Sequence, residues 1–178
     1  ILSPFGFSAP NCPGGPEPPN ATALLTLGRK LGHAPGYPAV LGSLSCVDGT
    51  TKDFAYGRLG VPGYTVEMGT AFFQDCPGFE QTVLPGNLPM LARAVKLARA
   101  PYRLAAGPEA VAPAVPPRAF VAGEAVALAV TLDDTRFSGE EPAQAIAEAE
   151  AYLGGPPWAG GLGPLSLSPI DGLFDEAI

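Results

Sequence analysis

The sequence predicts an α/β protein followed by a smaller β-rich unit. Two amphipathic helix patterns, residues 20–31 and 88–99, lie among short apolar segments of strand type, residues 1–7 and 64–67. Beyond residue 118 the helical periodicity gives way to short segments that turns separate roughly every ten residues. The first pattern is typical of a sheet with helices packed on it, and the second is typical of part of a β-sandwich.

Composition excludes several classes of protein. The chain has 178 residues, 47% of them hydrophobic, which is enough for a core of ordinary domain size. A net charge of −7 with only ten Lys and Arg residues argues against a nucleic-acid partner. No apolar run approaches the roughly eighteen residues that a membrane helix needs, so no membrane span is predicted. The 23 glycines and 22 prolines interrupt the apolar runs and predict turns and loops.

The ends and the cysteines bear on where the protein works. The chain starts at Ile1 inside an apolar run and stops directly after an acidic turn, so we expect it to be part of a longer protein. Three cysteines, Cys12, Cys46 and Cys76, lie in loop-like surroundings without metal-ligand spacing. One disulfide would suit an exported protein, and three reduced cysteines are the alternative that the sequence leaves open.

The first elements follow from capping and periodicity. Residues 1–7 are apolar and interrupted by Pro and Gly, as at the end of a buried strand. Asn20 is predicted to cap a helix that runs to about residue 31, buries a leucine face and ends at Gly32; that face comprises Leu24, Leu27 and Leu31. His33, the single histidine, follows this helix and is assigned a structural role, because a catalytic zinc usually needs three protein ligands.

The middle of the chain predicts a short helix, a strand and a long helix. Residues 48–57 predict a turn, a threonine cap and one or two helical turns. Residues 74–86 are predicted to be a loop, after which Asn87 caps a helix over 88–99. Its predicted buried face comprises Leu88, Leu91, Val95, Ala98 and Tyr102, and its predicted solvated basic face comprises Arg93, Lys96, Arg99 and Arg103.

The remaining chain predicts a linker and a β-rich segment. Residues 104–118 are rich in Ala, Pro and Gly and predict a semi-extended linker between domains at 1–103 and 119–178. Residues 125–132 and 165–168 predict strands. Residues 141–153 favour a helix by propensity, whereas a strand over 149–153 fits the β context equally well.

Glu67 is the candidate catalytic residue. It stands at the exit of the predicted strand over residues 64–67, before a glycine turn and an aromatic pair. Ligands of open α/β sheets bind beyond the carboxyl ends of strands, so a carboxylate there is well placed to meet one. The alternative is an ordinary strand-end glutamate in water.

Several stretches occur in an order and spacing that together are fairly specific. Residues 48–57 are Asp-Gly-Thr-Thr-Lys-Asp-Phe-Ala-Tyr-Gly, and residues 60–70 are Gly-Val-Pro-Gly-Tyr-Thr-Val-Glu-Met-Gly-Thr. With the opening Ile-Leu-Ser-Pro-Phe-Gly-Phe, they resemble the C-terminal half of zinc carboxypeptidases of the carboxypeptidase A/T type. Residues 72–76, Phe-Phe-Gln-Asp-Cys, and 99–102, Arg-Ala-Pro-Tyr, resemble secreted bacterial members. The final segment resembles the start of an immunoglobulin-like extension.

The resemblance implies a carboxypeptidase-type mixed sheet flanked by helices, and an extracellular enzyme that removes C-terminal residues from peptides and proteins. Such enzymes hold one Zn²⁺ with two His and one Glu, and a nearby carboxylate takes a proton from the metal-bound water. Glu67 matches that general base. The family's zinc ligands and carboxylate-binding arginines would precede Ile1, so this chain by itself is expected to be inactive and to expose an apolar helix face.

The resemblance also implies three substrate-binding positions. Lys52 falls at the base of the family's side-chain pocket, where a cation would favour acidic C-terminal residues, although Asp53 could pair with it instead. Thr65 lies two residues before the base. Ser45 stands where the family usually has a mobile tyrosine, and a serine reaches less far and excludes less water.

Two other functions remain open from the sequence. One is a non-catalytic extracellular peptide-binding or interaction module in which Glu67 is structural. The other is a β-rich interaction protein that acts through residues 119–178. The sequence encoded upstream of Ile1 distinguishes both from the enzyme, because a His-x-x-Glu pair followed by a His shortly before Ile1 would indicate the enzyme.

Overall fold

The computed structural model describes residues 1–3, 17–41, 49–114, 118–137, 143–155 and 162–170, and it gives no side-chain detail for 112–114. Two compact units, residues 1–107 and 108–178, divide the chain. Together they make a mixed α/β protein, as predicted. Among the described residues, no helix is both long and apolar enough to cross a bilayer.

A small mixed sheet organises the first unit. Strand β1 (Leu2–Ser3) leads through helix α1 (Ala21–Gly32) to strand β2 (Val40–Leu41), which runs parallel to it. On the other edge of β1, Leu2 and Thr65 exchange antiparallel hydrogen bonds of 2.8 and 3.1 Å. In place of the predicted strand over 64–67, the structure therefore has this single bridge at Thr65.

Helix α1 forms as predicted, but its capping differs. Leu24, Leu27 and Leu31 are all buried, which confirms the leucine face. Asn20 occupies the N-cap position without capping the helix, so the capping prediction was wrong. Its side-chain oxygen instead accepts a hydrogen bond of 2.6 Å from the hydroxyl of Tyr56, a partner that local sequence cannot reveal.

Helix α2 (Thr51–Leu59) confirms the predicted threonine cap. The hydroxyl of Thr50 accepts a hydrogen bond from the backbone N–H of Asp53, at 3.3 Å. Gly60 ends the helix in the left-handed conformation, with φ of +67°, and donates to Tyr56 O. Glycine adopts this conformation without the steric penalty of a Cβ, which explains why the helix stops there.

The predicted loop over 74–86 is helical from Cys76 onwards. Helix α3 (Cys76–Gly78), a π-helical turn (Phe79–Val83) and helix α4 (Leu84–Leu97) follow without interruption, so Asn87 lies inside a helix rather than at its cap. Pro85 lies in the first turn of α4, where a proline is tolerated.

Helix α4 packs on the core through a different apolar row from the one predicted. Met90 and Leu97 are buried and Ala94 packs on them, whereas Leu88, Leu91 and Val95 are 54, 54 and 78% exposed. The predicted buried face was thus wrong for this chain, and an apolar helix face is exposed, as expected. Helix α5 (Pro101–Ala106) closes the cluster, whose buried members are Ile1, Leu27, Leu31, Met90, Leu97 and Ala105.

The predicted basic face of α4 is not wholly solvated. Arg93 is half-buried and donates a hydrogen bond of 3.0 Å to Lys30 O, near the end of α1. Lys30 is buried in turn and donates to Leu104 O at 2.7 Å. These bonds place cations on carbonyl groups near helix ends, where the helix dipole favours positive charge.

The second unit contains two separate antiparallel strand pairs. Strand β3 (Glu109–Ala114) pairs with β4 (Ala129–Asp133), and β5 (Ala149–Leu153) pairs with β6 (Leu162–Leu167). Residues 149–153 therefore form a strand, which the sequence left open as the alternative to a helix. Residues 104–118, predicted to be a linker, contain the end of α5 and the whole of β3. Part of a β-sandwich remains a prediction for this unit.

The burial of the Tyr64 hydroxyl can be tested by measuring the stability of the protein at alkaline pH. Burial, followed by the neighbouring Tyr102, raises the pKa of the Tyr64 hydroxyl far above its usual value. Above about pH 10 the unfolded chain releases this proton and the folded chain keeps it, so the free energy of unfolding falls by up to about 1.4 kcal/mol per pH unit. Urea denaturation between pH 8 and 11 should show this decline, and Tyr64→Phe should flatten it. An unchanged slope in the variant would contradict the assignment.

Candidate functional site

The segment from Tyr64 to Glu67 alternates between core and surface. Tyr64 and Val66 pack against the core cluster, and Thr65 and Glu67 are exposed. In extended backbone, residues two apart point to the same side, so Thr65 and Glu67 share the face opposite the core. The structure thus brings these two predicted site residues together.

Two contacts fix this segment. The Tyr64 hydroxyl donates a hydrogen bond of 2.8 Å to Leu24 O on α1. Gly63 lies against the start of α2, where a Cβ would stand 2.9 Å from Lys52 Cα and 3.0 Å from Lys52 O. Only a glycine allows the backbone to approach the helix this closely, so the Pro-Gly pair before the segment serves packing as well as turning.

The carboxylate of Glu67 lies near the start of β1. The Ile1 amino group is partly buried and donates to Pro38 O at 2.6 Å. In the antiparallel register of the Leu2–Thr65 bridge, Val66 lies opposite Ile1 and Glu67 follows it, at the end where β1 enters the sheet.

Lys52 forms a buried ion pair. Its side chain is 3% exposed, and its ammonium lies 2.8 Å from Asp53 Oδ1. The second oxygen of Asp53 accepts a hydrogen bond of 2.6 Å from the Thr50 hydroxyl. In this conformation Lys52 pairs with Asp53, the alternative that the sequence offered, and within the described ranges no ion pair joins Lys52 to Glu67.

The other predicted positions contribute less. Ser45, Cys12 and Cys46 lie outside the described residues, and Cys76 is an exposed free thiol at the start of α3. His33 lies exposed just beyond α1. Within the described part of the chain, no group of three or more His, Cys, Asp or Glu side chains is arranged to hold a metal ion.

A polar pair that local sequence did not reveal lies next to the glycine turn after Glu67. The Tyr37 hydroxyl accepts hydrogen bonds from Gly69 N at 3.1 Å and from Asn87 Nδ2 at 3.0 Å. It thereby ties the glycine turn after Glu67 to α4. An asparagine within an otherwise apolar helical segment was the available signal, and it was assigned to a cap.

Comparisons of the chain with protein-family models, with curated proteins and with solved structures give no match. The function is therefore inferred from the residues themselves and from the resemblance described above.

Removing one partner of the buried ion pair tests its role. Asp53→Asn leaves the Lys52 ammonium buried without a counter-charge, and we expect the free energy of unfolding to fall by about 3–5 kcal/mol. Glu124→Gln is the matched control, because it breaks the exposed Arg118–Glu124 pair; it should be nearly neutral. Urea denaturation of both variants checks this. Equal small effects would show that Lys52 reaches solvent.

Proposed function

We propose that residues 1–103 form the C-terminal part of the catalytic domain of a secreted bacterial zinc metallocarboxypeptidase, which releases C-terminal residues from peptides and proteins. The observation that supports this most directly is the position of Glu67. Glu67 is exposed on the face opposite the core, and the register of the Leu2–Thr65 bridge puts it next to the incoming end of β1. The resemblance implies that the last zinc-binding histidine immediately precedes this end.

Glu67 would act as a general base and then as a general acid. A carboxylate at this position takes a proton from the attacking water and returns it to the leaving amine. Its anchored backbone supports that role, because the Leu2–Thr65 bridge and the Tyr64 hydroxyl fix the segment on both sides. A base held on fixed backbone is pre-positioned for the reaction.

The described residues of this chain do not themselves fit a zinc site. Under the proposal, the zinc ligands belong to the polypeptide that the resemblance places before Ile1. The exposed row Leu88, Leu91 and Val95 on α4 supports a larger domain, because an apolar helix face of this kind is normally covered.

Replacing Glu67 tests the proposal on the complete gene product. Glu67→Gln preserves shape and removes the base, so we expect kcat to fall by about 10²–10⁴-fold while zinc content stays unchanged. Glu80→Gln, at another exposed acid on the π turn, is the control and should retain activity. Peptide hydrolysis followed by chromatography measures both. Full turnover by Glu67→Gln would remove this residue from its role.

Substrate preference tests Lys52 separately. If its ammonium leaves Asp53 for a substrate, peptides ending in Glu should be hydrolysed faster than those ending in Leu or Arg, and Lys52→Met should abolish the difference. We expect a preference of about tenfold in kcat/KM, which corresponds to about 1.4 kcal/mol of charge pairing. Equal rates on the three peptides would show that Lys52 serves only the ion pair.

A further inference from the structure

A concave site lies in the first unit, next to the glycine turn that follows Glu67. The cleft has a volume of about 400 Å³ and lies between the turn after α1, the glycine turn after Glu67 and the start of α4. Its size falls within the range of small-molecule sites. Gly86 belongs to its wall, where a Cβ would stand 3.2 Å from Pro35 Cα, so the two walls approach closely.

Tyr37 and Asn87 line this cleft and leave two polar groups unused. Both lone-pair positions of the Tyr37 oxygen receive donors, from Gly69 N and Asn87 Nδ2, so the hydroxyl hydrogen must point elsewhere. Asn87 Nδ2 also donates to Val83 O at 2.7 Å, and that carbonyl, which accepts only, fixes the orientation of the amide. Asn87 Oδ1 is therefore left buried, without a partner among the described residues.

The unused groups form an adjacent donor and acceptor. Asn87 is only 4% exposed, and a buried amide oxygen without a hydrogen bond costs free energy that a ligand's N–H would recover. None of the residues that line the cleft in the described part of the chain is charged, so a neutral ligand suits it. A carboxamide carries its N–H and C=O on one carbon and matches such a pair.

We propose that this cleft binds a neutral carboxamide group, which donates an N–H to Asn87 Oδ1 and accepts the hydroxyl hydrogen of Tyr37. The proposal stands independently of the carboxypeptidase function. Because Asn87 Oδ1 is covered, entry requires a lining side chain to move. Gln74 is suited to this, since its hydrogen bonds to Thr70 and Asp75 are exposed at the rim.

Three matched small molecules test the proposal on the 178-residue chain. Acetamide offers both groups, N,N-dimethylacetamide lacks the N–H, and acetate lacks it and carries a charge. In a nuclear magnetic resonance titration of the ¹⁵N-labelled chain, acetamide should shift the Gly69 amide and the Asn87 side-chain signals saturably. The other two should bind about five- to tenfold more weakly, as expected for the loss of one hydrogen bond. Equal affinities, or no saturable shift with acetamide, would overturn the proposal.

Variants identify the partner groups. Tyr37→Phe removes the hydroxyl donor and should weaken acetamide binding by about two- to tenfold. Tyr56→Phe is the control, since the Tyr56 hydroxyl donates to Asn20 and does not line the cleft; its affinity should be unchanged. Equal acetamide affinities in both variants would contradict the assigned donor. If Tyr37→Phe does not fold, the comparison of the three probes still decides.

Discussion

The arrangement of the first unit depends on one residue that is paired on both sides. Leu2 pairs with Val40 in parallel on one edge of β1 and with Thr65 in antiparallel fashion on the other. Because side chains alternate along extended backbone, this register decides that Tyr64 and Val66 enter the core and that Glu67 does not. A slip by one residue would reverse every side chain of the segment and bury the candidate base.

Side-chain hydrogen bonds to distant backbone carbonyls join the elements around the core. Tyr64, Lys30 and Arg93 each donate from a side chain to a backbone carbonyl at least forty residues away in sequence. A hydrogen bond to a buried carbonyl contributes modestly by itself, but loss of either partner leaves a polar group unsatisfied. These bonds therefore specify which helix faces meet, and they explain how a cluster of six buried residues defines one arrangement.

Local chemistry in the sequence predicted interactions within one helix better than interactions between elements. Thr50 caps α2 because the interaction is confined to one helical turn, and the leucines of α1 share one face because of their spacing. Asn20 and Asn87 looked like equivalent caps, yet their amides bind Tyr56 and Tyr37 respectively. Such bonds join positions 36 and 50 residues apart, which no local pattern encodes.

The choice between two apolar rows on α4 shows the same limit. The spacing of Leu88, Leu91 and Val95 is as regular as that of Met90, Ala94 and Leu97, so periodicity cannot tell which row meets α1. Tertiary contacts decide it. The position of Glu67 at a strand exit could be predicted from the sequence, whereas its place next to the start of β1 follows from the Leu2–Thr65 register.

The charged residues are distributed unevenly between the two units, and this changes how the net charge bears on a nucleic-acid partner. Eight of the ten Lys and Arg residues, but only six of the seventeen Asp and Glu residues, lie within residues 1–107. The negative charge that argues against a nucleic-acid partner therefore belongs to the second unit. In the first unit, the availability of cations for a nucleic-acid partner depends on the basic row of α4. Part of that row, Arg93, already binds Lys30 O, and cations engaged with the fold are less available for phosphate contacts.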